Sequence, residues 1–110
     1  MSCNHKIIWT HAAEQDLRMI IDCVEREKAG NGKKVLKKIR KKAGEVFQVP
    51  EDGKVVPELH SEGIHLYREF SVEMWRIIYR LENKKVNVLC LFDGRQNVED
   101  ILLQRLVRKT

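Results

Sequence analysis

Residues 66–100, LYREFSVEMWRIIYRLENKKVNVLCLFDGRQNVED, decide the fold, because apolar side chains recur here at every second position. Along residues 75–81, Trp75, Ile77, Tyr79 and Leu81 point to one side of a strand, and Arg76, Ile78 and Arg80 to the other. One face can join a core while the other offers guanidinium forks to an anionic partner. Three successive strands are predicted, at about 64–70, 75–81 and 86–92. Glu82-Asn83-Lys84-Lys85 is the hairpin turn between the last two. Asp93-Gly94-Arg95 ends the sheet, and Asn97 caps a final helix with Asp100 three positions on. That helix carries Val98, Ile101, Leu102, Leu103, Leu106 and Val107, more apolar circumference than one stripe. Either it packs deeply, or part of it is kept for a partner protein or a second copy of the chain.

Upstream the period is helical. Residues 5–9 form a short first strand, and Thr10 is placed to cap the helix after it. Ala13, Leu17, Ile20, Ile21 and Val24 recur at helical spacing through about 12–28, and Gly30-Asn31-Gly32 breaks the run. A second helix, about 33–47, stripes Val35, Leu36, Ile39, Ala43 and Val46. Residues 50–63 are the loosest region, punctuated by Asp52-Gly53, Pro57 and Gly63. The change of period near Gly63 predicts an α+β fold. An N-terminal helical hairpin packs on a mainly antiparallel sheet of about four strands, followed by a C-terminal helix.

With 110 residues, 43% hydrophobic and 34% charged, the chain is expected to be one globular domain over 1–110. The 21 Lys+Arg against 16 Asp+Glu leave a net charge of +5, which favours nucleic acid or an acidic protein as partner. Cys3, Cys23 and Cys90 are odd in number and lack C-x-x-C spacing, so buried structural roles are expected for Cys23 and Cys90. No stretch has the pattern of a signal peptide or the length of a membrane span, so a reducing cytoplasm is the expected location. The four histidines lack metal-ligand spacing, and neither G-x-G-x-x-G nor a Walker loop occurs. No metal and no cofactor is expected.

Seven of the ten residues 33–42 are basic, among them Lys34, Lys37, Lys38 and Lys41. They form either a phosphate-tracking surface or a solvated helix face. Arg76 is the strongest single candidate, since a rigid strand can hold its guanidinium against a phosphate. The alternative is a structural ion pair with Glu58, Glu69 or Glu73. Arg68 and Arg80 would broaden the same positive face, and Arg95 follows a strand end where it can point into a cleft. Asp93 can instead neutralise Arg95 or Arg76. Glu58 is the carboxylate best placed for a general base, provided that burial raises its pKa. His60 and His65 are further acid–base or RNA-contact candidates, or hydrogen-bonded surface histidines.

The chain resembles the RelE/ParE superfamily of toxins from bacterial type II toxin–antitoxin modules. The likeness runs through Ile8-Trp9, the Ala13-Glu14-x-Asp16-Leu17 helix start, the basic second helix and Pro57-Glu58-Leu59. Its most specific part is Trp75-Arg76-Ile77-Ile78-Tyr79-Arg80, then the following strand and Asp93-Gly94-Arg95. The resemblance implies a toxin whose partner is a cognate antitoxin that wraps it with an extended or helical segment. RelE-like members cleave mRNA in the ribosomal A site; ParE-like members poison DNA gyrase. The expectation is the first of these: a ribosome-dependent, metal-independent mRNA endonuclease, with ribosome and mRNA as partners. Arg76, Arg95 and Glu58 would be catalytic, and Arg68, Arg80, Lys34, Lys37, Lys38 and Lys41 would hold nucleic acid. The alternatives are a ParE-like gyrase inhibitor without nuclease activity and a non-enzymatic basic nucleic-acid or ribosome-binding module. Three departures bear on the choice. Residues 66–70 carry no lysine where the RelE pattern has two, no tyrosine occurs at 101–103, and Phe92-Asp93 stands where one nuclease subgroup has His-Tyr.

Overall fold

The computed structural model describes residues 5–107, so Cys3 lies outside the described residues, as does the side chain of Val107. The chain opens with β1 (Lys6–Trp9), α1 (His11–Glu27) and α2 (Asn31–Val46). The Thr10 hydroxyl accepts from the Ala13 N–H at 3.2 Å, the expected cap. The hairpin closes differently from an ordinary helix–turn–helix. Gly30 takes φ 91°, and the Glu25 carboxylate of α1 accepts from the Gly30 and Gly32 N–H groups at 2.8 and 2.9 Å. One helix thus caps the next, and these backbone bonds hold Glu25 below the ordinary carboxylate range. Gly32 makes room for the cap, since a Cβ there would stand 2.8 Å from Glu25 Oε1.

A 3-10 turn at Pro50–Asp52 leads into β2 (Lys54–Val55) and α3 (Pro57–His60). Then follow β3 (Tyr67–Val72), β4 (Trp75–Glu82), β5 (Lys85–Asp93) and α4 (Val98–Leu102), which continues as a π-helical turn over Leu103–Val107. The sheet order is β1-β5-β4-β3-β2, with β1 parallel to β5 and the other pairs antiparallel. Five strands therefore replace the expected four, because β2 is only two residues long and leaves no alternating pattern. The strand expected from residue 64 starts at Tyr67, as α3 and a turn through Gly63 (φ 80°) occupy the approach.

The faces of β4 sort as parity requires. Trp75, Ile77 and Tyr79 enter the core beneath α1 and α2 with Val35, Ile39 and Phe47. The opposite face is not open. Ile78, Cys90 and Phe92 meet Val56 and Leu59 from the α3 segment and Leu102 from α4 in a second core. The expected arginine face is corrected accordingly: apolar neighbours on β4 and β5 draw two helices across it. Most of the described apolar surface of α4 and the π-helical turn is packed, with Leu102 fully buried and Ile101 and Leu106 against the same cluster. Cys90 is buried as expected, but Cys23 is exposed, since the inward stripe of α1 bypasses that position.

The β4–β5 register shifts between Ile78 and Tyr79, leaving Leu89 as the extra residue on β5. Beyond the end of β1, Asp16 of α1 accepts from the Leu91 N–H at 3.1 Å and from Arg105 at 3.0 Å. This clip joins α1, β5 and the C-terminal turn. Among the described residues, no helix is long and apolar enough to cross a membrane.

Candidate functional site

Arg76 sits at the second core's edge, one residue into β4, with its side chain 15% exposed. Pairing places Ser71 and Phe92 beside it, and its guanidinium lies 5.6 Å from the Phe92 ring centroid. Two carboxylates hold it. Nε and Nη2 donate to Glu69 at 2.6 and 2.9 Å, and Nη1 and Nη2 donate to Glu58 at 2.9 and 2.8 Å. Glu58 comes from the first turn of α3, where Pro57 starts the helix, and Glu69 comes from β3. The sequence thus brings Arg76 and Glu58 together from 18 residues apart. It also brings in Glu69, which is only 7% exposed.

The electrostatics follow from this clamp. Hydrogen bonding to Glu58, then to Glu69, raises the Arg76 pKa beyond its ordinary value. Hydrogen bonding to Arg76 holds Glu58 below the ordinary carboxylate range, outweighing its desolvation. The raised pKa on which a general-base role for Glu58 depended is therefore not found: the neighbouring cation wins over burial.

The other arginines do not converge on Arg76 as one face. Arg68 pairs with Tyr79 across β3 and β4, so it lies on the helix side of the sheet, where its Nη1 donates to the Gly53 carbonyl at 2.8 Å. Arg80 shares the Arg76 side and pairs with Glu82 at 3.5 Å. Arg95 is exposed and folds back onto Asp93 at 2.7 Å, which lowers the Asp93 pKa. Gly94 packs against Arg76, where a Cβ would meet Arg76 Cδ at 3.0 Å. Tyr79, the aromatic at the end of the sheet motif, is architectural. Its hydroxyl donates to the Pro50 carbonyl at 2.6 Å, and burial pushes its pKa up to about 12.

Lys34, Lys37, Lys38 and Lys41 all lie on the solvent side of α2, while Val35, Ile39 and Ala43 fill its buried stripe. Lys38 reaches Glu73 in the β3–β4 turn. His60 and His65 are exposed and stack edge to face, 4.4 Å between ring centroids. Burial pushes the Cys90 thiol up to about 12, which keeps it protonated at neutral pH. Among the described residues, no group of three His, Cys, Asp or Glu side chains is arranged to hold a metal.

One feature escaped the reading of the sequence. A groove of about 800 Å³ runs between β1 and the helical hairpin, lined by Ile7, Trp9, Leu17, Ile21, Leu36 and Phe47. The signal for it is the excess of apolar residues on β1 and α1 over what the sheet covers: Ala13 is the one buried residue of α1.

The family profile described as the ParE toxin of the type II toxin–antitoxin system parDE matches residues 7–98. A solved structure of the chromosomal ParDE toxin–antitoxin system from P. aeruginosa shares the fold. Its TM-score is 0.69 at 20% identity, covering 84% of this chain and 98% of that one. The RelBE2 toxin–antitoxin complex from Mycobacterium tuberculosis aligns at TM-score 0.47 and 16% identity, covering 82% and 91%. Comparison with curated proteins gives no match. The chain belongs to the ParE toxin family, within the RelE/ParE superfamily.

Proposed function

We propose that this ParE-family chain is the toxin of a type II toxin–antitoxin pair and poisons DNA gyrase without cutting RNA. The observation that carries the choice is the clamp on Arg76. Four guanidinium N–H bonds already run to Glu58 and Glu69, at 2.6–2.9 Å. A phosphate would have to compete with two carboxylates for that guanidinium, so it cannot serve as a preorganised site for charge growing on phosphorus. Glu58, bound to a cation, is a weak proton acceptor. The absence of a tyrosine at 101–103 and of lysine at 66–70 points the same way. The family match over 7–98 supports the ParE branch independently of the geometry.

The same reading gives the chain a protein antitoxin as its partner. With the second sheet face closed by α3 and α4, the groove beside β1 is an open surface suited to such a partner.

The test adds purified protein to gyrase and relaxed plasmid. Supercoiling should fall, and cleaved DNA should accumulate after detergent treatment. In cells expressing the protein, primer extension across translated mRNA should find full-length transcripts. Codon-spaced mRNA cleavage with gyrase unaffected would overturn the proposal. It would return Arg76, Glu58 and Arg95 to the catalytic roles expected of a ribosome-dependent endonuclease.

A further inference from the structure

The charge of this chain is concentrated in one element. The 16 residues of α2 hold seven basic side chains and one acid, Glu45, which exceeds the net +5 of the whole chain. The remainder is slightly acidic, and four of its arginines, Arg76, Arg80, Arg95 and Arg105, each form an ion pair with a carboxylate. On α2 only Lys38 does so among the described residues. Lys34, Lys37, Arg40, Lys41 and Lys42 are exposed and form no ion pair among the described residues. Lysines also repeat four apart, as in Lys33, Lys37 and Lys41, an arrangement that costs helix stability.

At the turn of an α-helix, the basic residues from Arg40 through Lys37 and Lys34 to Lys42 sweep an arc of about 200°. The rest of the circumference is the buried stripe of Val35, Ile39 and Ala43, with half-buried Leu36 between that stripe and Arg40 at the groove. We propose that this face of α2 binds the phosphate backbone of duplex DNA.

Three properties of the arc select that ligand. It exposes no aromatic or aliphatic anchor between residues 33 and 42, whereas protein interfaces are depleted of lysine at their centres and rely on such anchors. It contains no aromatic ring on which the bases of a single strand could stack. It has no Asn, Gln, Ser or Thr at 33–42, so contact would be dominated by charge and indifferent to base sequence. Lysine point charges splayed to both sides of a cylinder suit two rows of phosphates. The inference rests on the gyrase reading only for where the duplex is met, since a toxin acting on gyrase encounters it on DNA.

Fluorescence anisotropy of a labelled duplex, titrated with the whole protein across about 50–200 mM salt, tests this. With four to six phosphates engaged, log Kd should rise with log salt with a slope of about 4–5. The variant Lys34→Gln/Lys37→Gln/Lys41→Gln should weaken binding at least about tenfold at low salt and reduce the slope by about 3. Replacing the same three residues by arginine should restore both. A variant of equal net charge, Lys54→Gln/Lys84→Gln/Lys85→Gln, should bind within about twofold of wild type, and circular dichroism checks that each variant is folded. Equal loss in both triple variants would reduce the effect to net charge and overturn the site. So would tighter binding of single-stranded DNA or of duplex RNA, or displacement of the duplex by polyglutamate at matched charge. Gyrase assays separate the two claims. Trapped cleavage without duplex binding removes this inference and leaves the function, while duplex binding without any gyrase effect does the opposite.

Discussion

Arg76 and Glu58 are the residues that a reader of the sequence would choose for chemistry, and the fold joins them as architecture. Glu69 completes the clamp from β3, so one guanidinium ties that strand and α3 to β4. Removing Arg76 would leave two carboxylates facing each other beside the second core. Breaking a buried pair in this way costs about 3–5 kcal/mol. Growth assays on Arg76 variants therefore read folding as well as chemistry. The clamp also sets an acid limit. The folded-state pKa of Glu58 lies below its ordinary value, chiefly through the Arg76 hydrogen bonds. Its contribution to stability is then fully present above the unfolded-state value near about 4.3, and is lost as pH falls through the lower folded value. Urea midpoints of the wild type should fall as pH drops below about 4.3, and Glu58→Gln should flatten that fall while lowering the midpoint at neutral pH. Parallel profiles would show that Glu58 is not a determinant of acid stability.

Among the elements, those with a long period were legible and those without one were not. α1, α2, β4 and β5 each repeat their apolar positions at least three times, enough to fix type and face, whereas β3 holds only Phe70 and Val72 at that spacing and its start was misplaced by three residues. β2 has two residues and α3 four, too few for any period, so the closure of the second sheet face stayed hidden. The isolated Ile78 between Arg76 and Arg80 was the available hint, since a fully solvated face has no use for it. The β4–β5 turn was predicted correctly at 82–85, yet its chemistry is imperfect. Asn83 and Lys84 both take positive φ, 51° and 62°, the arrangement of a type I′ hairpin. Asparagine tolerates this, but lysine pays a steric cost that glycine would not. Lys84→Gly should therefore stabilise the protein by about 0.5–1 kcal/mol, the relief of strain being partly offset by the freer unfolded chain. Thermal unfolding measures it, and a lower melting temperature would mean that the lysine side chain has an unrecognised role there.

On the scale of the whole molecule, a single sheet separates two unequal cores and leaves its charge on one outer helix. The helical hairpin covers the first core only in part, which opens the groove beside β1. The second core depends on the last turns of the chain. Leu102 enters it completely, while Arg105 fastens the following π-helical turn to Asp16 on the far element α1. Apolar residues crowd this helix, and the sequence left open whether they pack or wait for a partner. The burial of Leu102, and the contacts of Ile101 and Leu106, assign them mostly to packing. Leu103 is the exception, being half-buried and outside both clusters. The two leucines should behave differently despite their adjacency. Leu102→Ala should cost about 2–4 kcal/mol, the loss expected for a buried leucine whose cavity cannot fully collapse. Leu103→Ala should cost less than about 1 kcal/mol. Chemical denaturation of the two variants makes the comparison under identical conditions. Equal losses would mean that the C-terminal helix sits in another rotation and that the second core is built from different residues. The expected asymmetry would fix its face and leave Leu103 as the residue of this helix most available to a partner.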